Sequence, residues 1–212
     1  MSADRARASI DLGAIERNCS RLRSELRTGV QLCAVVKADG YGHGAVHSAR
    51  AAVAGGAGWL AVATAQEAGE LREAGLSAPR VLVMGALTRA ELADALAADA
   101  DVVVWREQDV QDVAGAGGGR VHVKLDSGMG RLGTRDVEQA SQVLAAAQAT
   151  PGVEPAGARG RTGPRRRGPS RKRRSRSGPC RNGTRDRAAR RRCWLRARGA
   201  AAGRPSSRAP SG

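Results

Sequence analysis

The stretch Cys33-Ala34-Val35-Val36-Lys37-Ala38-Asp39-Gly40-Tyr41-Gly42-His43-Gly44 passes from a short apolar run into a glycine-rich turn, with one lysine at the junction. The apolar run reads as a buried strand and the glycines as its stop. A lysine at such an exit packs its stem among apolar groups and holds its amine at a mouth. Desolvation there disfavours the ammonium form, which is how a lysine becomes a nucleophile or base near neutral pH. Taken alone, Lys37 also reads as a solvated loop lysine.

The same pattern recurs on both sides of this stretch. Upstream, Asp11 is a suitable cap for a helix whose stripe is Leu12, Ile15, Cys19, Leu22 and Leu26. The opening strand is expected at about 32–36. Further strands are expected at 59–63, 80–84, 102–105 and 121–125, and helices at 45–53, 65–74, 88–97, 107–113 and 136–149. Thr88 with Glu91 three residues on forms a capping box.

Strands thus recur about every 20 to 26 residues and read as apolar throughout, which indicates parallel strands buried on both faces and joined by right-handed crossovers. The fold class is α/β, either an open doubly wound sheet or a (β/α)8 barrel. No GxGxxG follows the first strand, which counts against a dinucleotide-binding sheet. Lys37 and Lys124 sit at strand ends, where a barrel carries its functional residues. The expected fold is an incomplete (β/α)8 TIM-type barrel of about five βα units within residues 1–157; eight units need about 250 residues. Val153 is placed to open a sixth strand, with nothing after it suited to continue one.

Charge divides the chain at the same place. The total of +16 suggests a nucleic-acid binder. Through Gly157, however, 16 Lys and Arg face 19 Asp and Glu, a net of −3. Residues 158–212 carry 20 Lys and Arg against Asp186 alone, a net of +19. That tail has no Val, Ile, Met, Phe or Tyr, so it is expected to be disordered. One reading makes it an arginine-rich arm, centred on Arg171-Lys172-Arg173-Arg174-Ser175-Arg176-Ser177, that binds nucleic acid without sequence preference. The reading adopted is that the coding frame was lost near Gly157 in a GC-rich gene, because Arg, Gly, Pro, Ala and Ser are what such codons give in any frame. The break also falls inside a domain, where a natural linker is least expected.

Cys19, Cys33, Cys180 and Cys193 form no CxxC pair and no zinc spacing, so no metal site is expected. No signal-like segment or bilayer-length apolar run is visible, and a cytoplasmic location is the expectation.

A second stretch carries chemistry: His122-Val123-Lys124-Leu125-Asp126-Ser127-Gly128-Met129-Gly130-Arg131-Leu132-Gly133. With the first, it resembles alanine racemase, the pyridoxal-phosphate enzyme that interconverts L- and D-alanine. Residues 59–63 with Glu67, and the segment around 81–85, also look like that family. The resemblance covers about Ser9 to Gly157. It implies pyridoxal 5′-phosphate held by Lys37 as a Schiff base, with Lys37 afterwards the base on one face of the substrate. By the same resemblance, Tyr41 hydrogen-bonds the cofactor phosphate and Arg131 donates to the phenolic oxygen of the ring. Lys124 matches a lysine carbamylated in many members, which would orient Arg131; unmodified, the two cations repel. His43 and Asp126 read as structural residues that shape turns.

The chemistry accounts for these residue types. The conjugated ring stabilises the carbanion left when Cα loses its proton, and racemisation needs proton traffic on both faces. In the family the second base is a tyrosine from the C-terminal β-domain of the partner subunit. Tyr41 is the only tyrosine here. The family's ring-stacking histidine lies downstream of the second motif, whereas the last histidine here is His122. The expectation is therefore an N-terminal part of an alanine racemase, from a homodimeric family that supplies D-alanine for peptidoglycan, and inactive by itself. The alternatives are a single-domain pyridoxal-phosphate barrel protein that is not a racemase, and nucleic-acid binding by the tail.

Overall fold

Six parallel strands lie side by side in the order in which the chain visits them: β1 (Cys33–Val35), β2 (Trp59–Val62), β3 (Arg80–Val83), β4 (Ala100–Val104), β5 (Gly119–Leu125) and β6 (Val153–Gly160). The computed structural model describes residues 8–160. Helix α1 (Leu12–Ser24) precedes β1, and the single turn α2 (Lys37–Gly42) with α3 (Ala45–Ala54) joins β1 to β2. Helices α4 (Ala65–Glu73), α5 (Arg89–Ala97), α6 (Glu107–Gly115) and α7 (Val137–Ala149) make the later crossovers. A strictly sequential order with right-handed crossovers sends every helix to one face of the sheet. A doubly wound sheet reverses its order at a switch point, and this one never does. That decides for the barrel: five βα units and a sixth strand.

The local signals predict the elements well. Asp11 caps α1 by accepting from the Ala14 amide, and the Thr88–Glu91 capping box is present at α5. A second box, Thr64 with Glu67, opens α4. Leu60, Val62, Val81, Val83, Val102, Val104, Val121 and Val123 face the helices and meet Leu71, Leu92, Val110, Val113 and Val143 in the main core. Burying each such side chain contributes about 1.5–3 kcal/mol, so this layer holds the helices on the sheet. Among the described residues no helix is long and apolar enough to cross a membrane.

The opposite face is not apolar throughout. Ala61, Leu82 and Val103 form a small cluster with Trp59, Met84 and Trp105. Beside it lies a polar network. Asp101, fully buried, accepts from Arg120 Nε at 2.8 Å and Arg80 at 2.5 Å, and pairs with His122 Nε2 at 2.8 Å. Trp59 stacks under the Arg80 guanidinium at 4.3 Å and meets the His122 ring edge-on. Strand β5 therefore alternates, with Val121 and Val123 toward the helices while Arg120 and His122 join the network on the other face. The expectation of uniformly apolar strands fails here, because this side of the sheet is held partly by charge.

Strand β6 also corrects the sequence reading. It runs through Gly157 and Ala158 to Gly160, three residues past the expected end of the domain. Glu154, Pro155 and Gly157 do not look like a strand, but pairing with β5 needs only backbone. Pro155, which has no N–H to give the ladder, is tolerated on an edge strand. A register irregularity next to it brings Gly157 opposite His122, where a Cβ would lie 3.0 Å from the imidazole Nδ1. The other readings of the basic tail fall on 161–212 and lie outside the described residues.

Candidate active site

Lys37 lies two residues past the end of β1, at the carboxyl end of the sheet. The next four residues, Ala38, Asp39, Gly40 and Tyr41, all have positive φ, between 51° and 61°, and build one left-handed helical turn. Each non-glycine residue in that conformation costs about 1–2 kcal/mol, so the turn persists only because its surroundings fix it. The Asp39 carboxylate accepts from the Ala45 amide at 2.7 Å and caps α3 from inside the turn. Gly40 is buried and tightly surrounded: a Cβ there would lie 3.1 Å from the Ser48 hydroxyl. Lys37 is half-buried, and its Nζ stands 5.4 Å from the centroid of the exposed Tyr41 ring.

Lys124 lies one residue before the end of β5 and Arg131 in the loop that follows. Together with Leu125, Asp126, Met129 and Leu132 they line one small hollow. The loop closes on itself. The Asp126 amide donates to the Thr134 carbonyl at 2.7 Å, and the Thr134 amide returns to the Lys124 carbonyl at 3.2 Å. Inside it the Asp126 carboxylate accepts from Gly128, Met129 and Gly130 amides at 2.8–3.1 Å and from Arg135 Nε at 2.9 Å. Gly133, at φ 103°, passes so close to the strand that a Cβ would stand 2.7 Å from the Lys124 carbonyl oxygen. The placement of Arg131 is thus set from Asp126 and Gly133 on either side.

The Gly130 amide, then Arg135 and the neighbouring amides, hold the Asp126 carboxyl far below its ordinary value of 3.8 against the opposing effect of desolvation. A depressed carboxyl stabilises the loop at every pH above the ordinary aspartate value, and the effect is lost only as pH falls through the depressed one. Asp126→Ala is expected to speed amide exchange of Gly128, Met129 and Gly130 on the order of tenfold. In the parent chain protection of those amides should stay constant from pH 7 down to about 4. Exchange measured by NMR or mass spectrometry across that range checks both.

Residues 10–159 match the family described as alanine racemase, N-terminal domain. The chain belongs to the alanine racemase family. The alanine racemase of Desulforamulus reducens is 42% identical over 144 residues, covering 65% of this chain and 39% of its own length. That of Beutenbergia cavernae is 49% identical over 133 residues, covering 60% and 35%. Among solved structures, alanine racemase from E. faecalis superposes with a TM-score of 0.68 at 36% identity, over 71% of this chain and 42% of that one. The Bacillus anthracis alanine racemase, solved with bound L-Ala-P, gives 0.65 at 32% identity, over 71% and 40%. The chain therefore spans between a third and a half of the length of these relatives.

Within this alanine racemase frame the structure pairs the four singled-out residues two by two: Lys37 with Tyr41 after β1, and Lys124 with Arg131 at β5. Strands β2, β3 and β4 separate the pairs in the sheet. Both pairs stand at the same end of the strands, the functional end of a parallel barrel. Asp126 shapes its turn, as expected. Glu67 carries more than sequence reasoning assigned to it, although Thr64 three residues before it was a legible signal. The Asp101 network was missed altogether. Its signal was an aspartate opening an apolar run, with arginines early in the strands on either side.

Proposed function

We propose that this chain carries the cofactor-lysine part of a pyridoxal-phosphate-dependent alanine racemase. The observation that carries the reading is the position of Lys37, immediately before a left-handed turn at the carboxyl end of β1, at the same end of the sheet as Lys124 and Arg131. The donor set suits the group: an amine for its aldehyde, a phenol beside that amine, and a guanidinium in the hollow for an anionic oxygen. Lys37 Nζ would hold the cofactor covalently, the Tyr41 hydroxyl would donate to its phosphate, and Arg131 would donate to its phenolic oxygen. When bound, the conjugated ring supplies an electron sink for the carbanion formed at Cα of an amino acid.

On the protein side, Lys37 would move the proton at Cα on one face. Lys124 would orient Arg131 once its neutral amine has taken up carbon dioxide and lost a proton, which turns a cation into an acceptor. For the whole enzyme of which this chain is a part, the substrate is then alanine and the product D-alanine serves peptidoglycan, with the homodimer as the assembly expected of the family.

Titration of the 212-residue chain with pyridoxal phosphate, followed by absorbance, tests the reading. Saturation at one equivalent is expected. Uptake that continues past one equivalent in proportion to added aldehyde would be ordinary amine chemistry and would contradict it.

A further inference from the structure

We infer that Glu67 is the positioning residue for Lys37, acting through the backbone amide of Ala38; this rests on the reading of Lys37 as the cofactor lysine. The β1–β2 ladder runs as far as the Val36 amide, which donates to the Ala61 carbonyl at 2.9 Å. One rung further the chain turns left-handed at Ala38 and leaves the ladder. The Glu67 carboxylate stands at that place. Its Oε1 accepts from the Ala38 amide at 2.7 Å, and its Oε2 accepts from Ala63 at 2.6 Å and Thr64 at 3.2 Å. One side chain thus bridges the ends of two strands where backbone pairing stops, and it grips the residue next to Lys37.

Three N–H donors converge on this side chain, so it has to be an acceptor at both oxygens. A carboxylate is; an amide has one accepting oxygen and one donating nitrogen. The helix cap makes a smaller demand, because a capping box accepts Gln as well as Glu at this position. Glu67→Gln therefore separates the two roles. Its carbonyl can keep the cap at Ala63 and Thr64, but its NH2 then opposes the Ala38 amide. Thr64→Ala is the complementary variant: it removes the hydroxyl that accepts from the Glu67 amide at 3.2 Å and leaves the carboxylate in place.

Three readouts on the full chain test this: amide exchange at Ala38 without cofactor, the half-saturating concentration of pyridoxal phosphate, and the thermal midpoint. Glu67→Gln is expected to raise both the Ala38 exchange rate and the half-saturating concentration about tenfold, equivalent to about 1.4 kcal/mol. Its midpoint should fall no further than that of Thr64→Ala. Thr64→Ala is expected to lower the midpoint while changing the other two readouts less than twofold. Unchanged Ala38 exchange in Glu67→Gln, or equal losses in the two variants, would overturn the inference and leave Glu67 a helix cap. If the parent chain has no single saturable site, the reading of Lys37 falls instead, and exchange at Ala38 still decides whether Glu67 holds the turn.

Discussion

Asp101→Ala is expected to destabilise the chain by about 3 kcal/mol and to lower its thermal midpoint by about 10 °C. The carboxylate is fully buried and serves three partners at once: Arg80, Arg120 and His122. Removing it leaves the Arg80 guanidinium and the His122 imidazole without their carboxylate partner, and Arg120 with Asp99 alone, at 2.6 Å. The loss lies at the lower end for breaking a buried pair, because the Arg80 and Arg120 side chains stay 38% and 28% exposed. For a domain whose whole stability is on the order of 5–15 kcal/mol, that is a large fraction. Denaturant unfolding of the two proteins measures it, and a difference below about 1 kcal/mol would mean that the network contributes little.

The same residue sets a pH dependence. Burial pushes the Asp101 carboxyl up, but the hydrogen bonds from His122 and Arg120 and the charge of Arg80 outweigh it, and the net displacement is downward from 3.8. A lowered carboxyl stabilises the fold above the ordinary aspartate value and ceases to do so as pH falls through the lowered one. The parent chain and Asp101→Ala should therefore differ most near neutrality and converge below about pH 4.

The second large effect concerns catalysis. The 212-residue chain alone is expected to give no racemisation of alanine. Inverting Cα takes a proton off one face and delivers one to the other. Lys37 can serve one face only. Tyr41, the only tyrosine in the chain, sits in the turn after Lys37 with its ring centroid 5.4 Å from Nζ, so it stands beside Lys37, not opposite it. A chiral assay of L-alanine incubated with the chain and pyridoxal phosphate should detect no D-alanine. Turnover that Lys37→Ala abolishes would contradict this and would require a second base among the residues present.

Most of the fold was legible because its signals are local. Apolar runs such as Val81-Leu82-Val83, caps such as Thr88 with Glu91, and glycine stops repeat at a barrel's spacing. Strand β6 was legible only at its first residue, Val153, because the rest of it is made by backbone pairing to β5 and its side chains carry no strand pattern. The Asp101 network was hidden for a related reason: each of its members looks solvated in sequence, and only the register of β3, β4 and β5 brings them together. For the proposed site, Lys37, Tyr41, Lys124 and Arg131 were singled out through two motifs. The left-handed turn and the grip of Glu67 on Ala38 join residues 29 positions apart, which no local pattern encodes.

The most direct test of the account uses a feature of its composition: the chain has only three lysines, Lys37, Lys124 and Lys172. One equivalent of pyridoxal phosphate, fixed by borohydride reduction and mapped by peptide mass spectrometry, is predicted to be found on Lys37, and the Lys37→Ala protein to retain less than a tenth of the label. Label centred on Lys124 or Lys172, or divided evenly among the three, would contradict it.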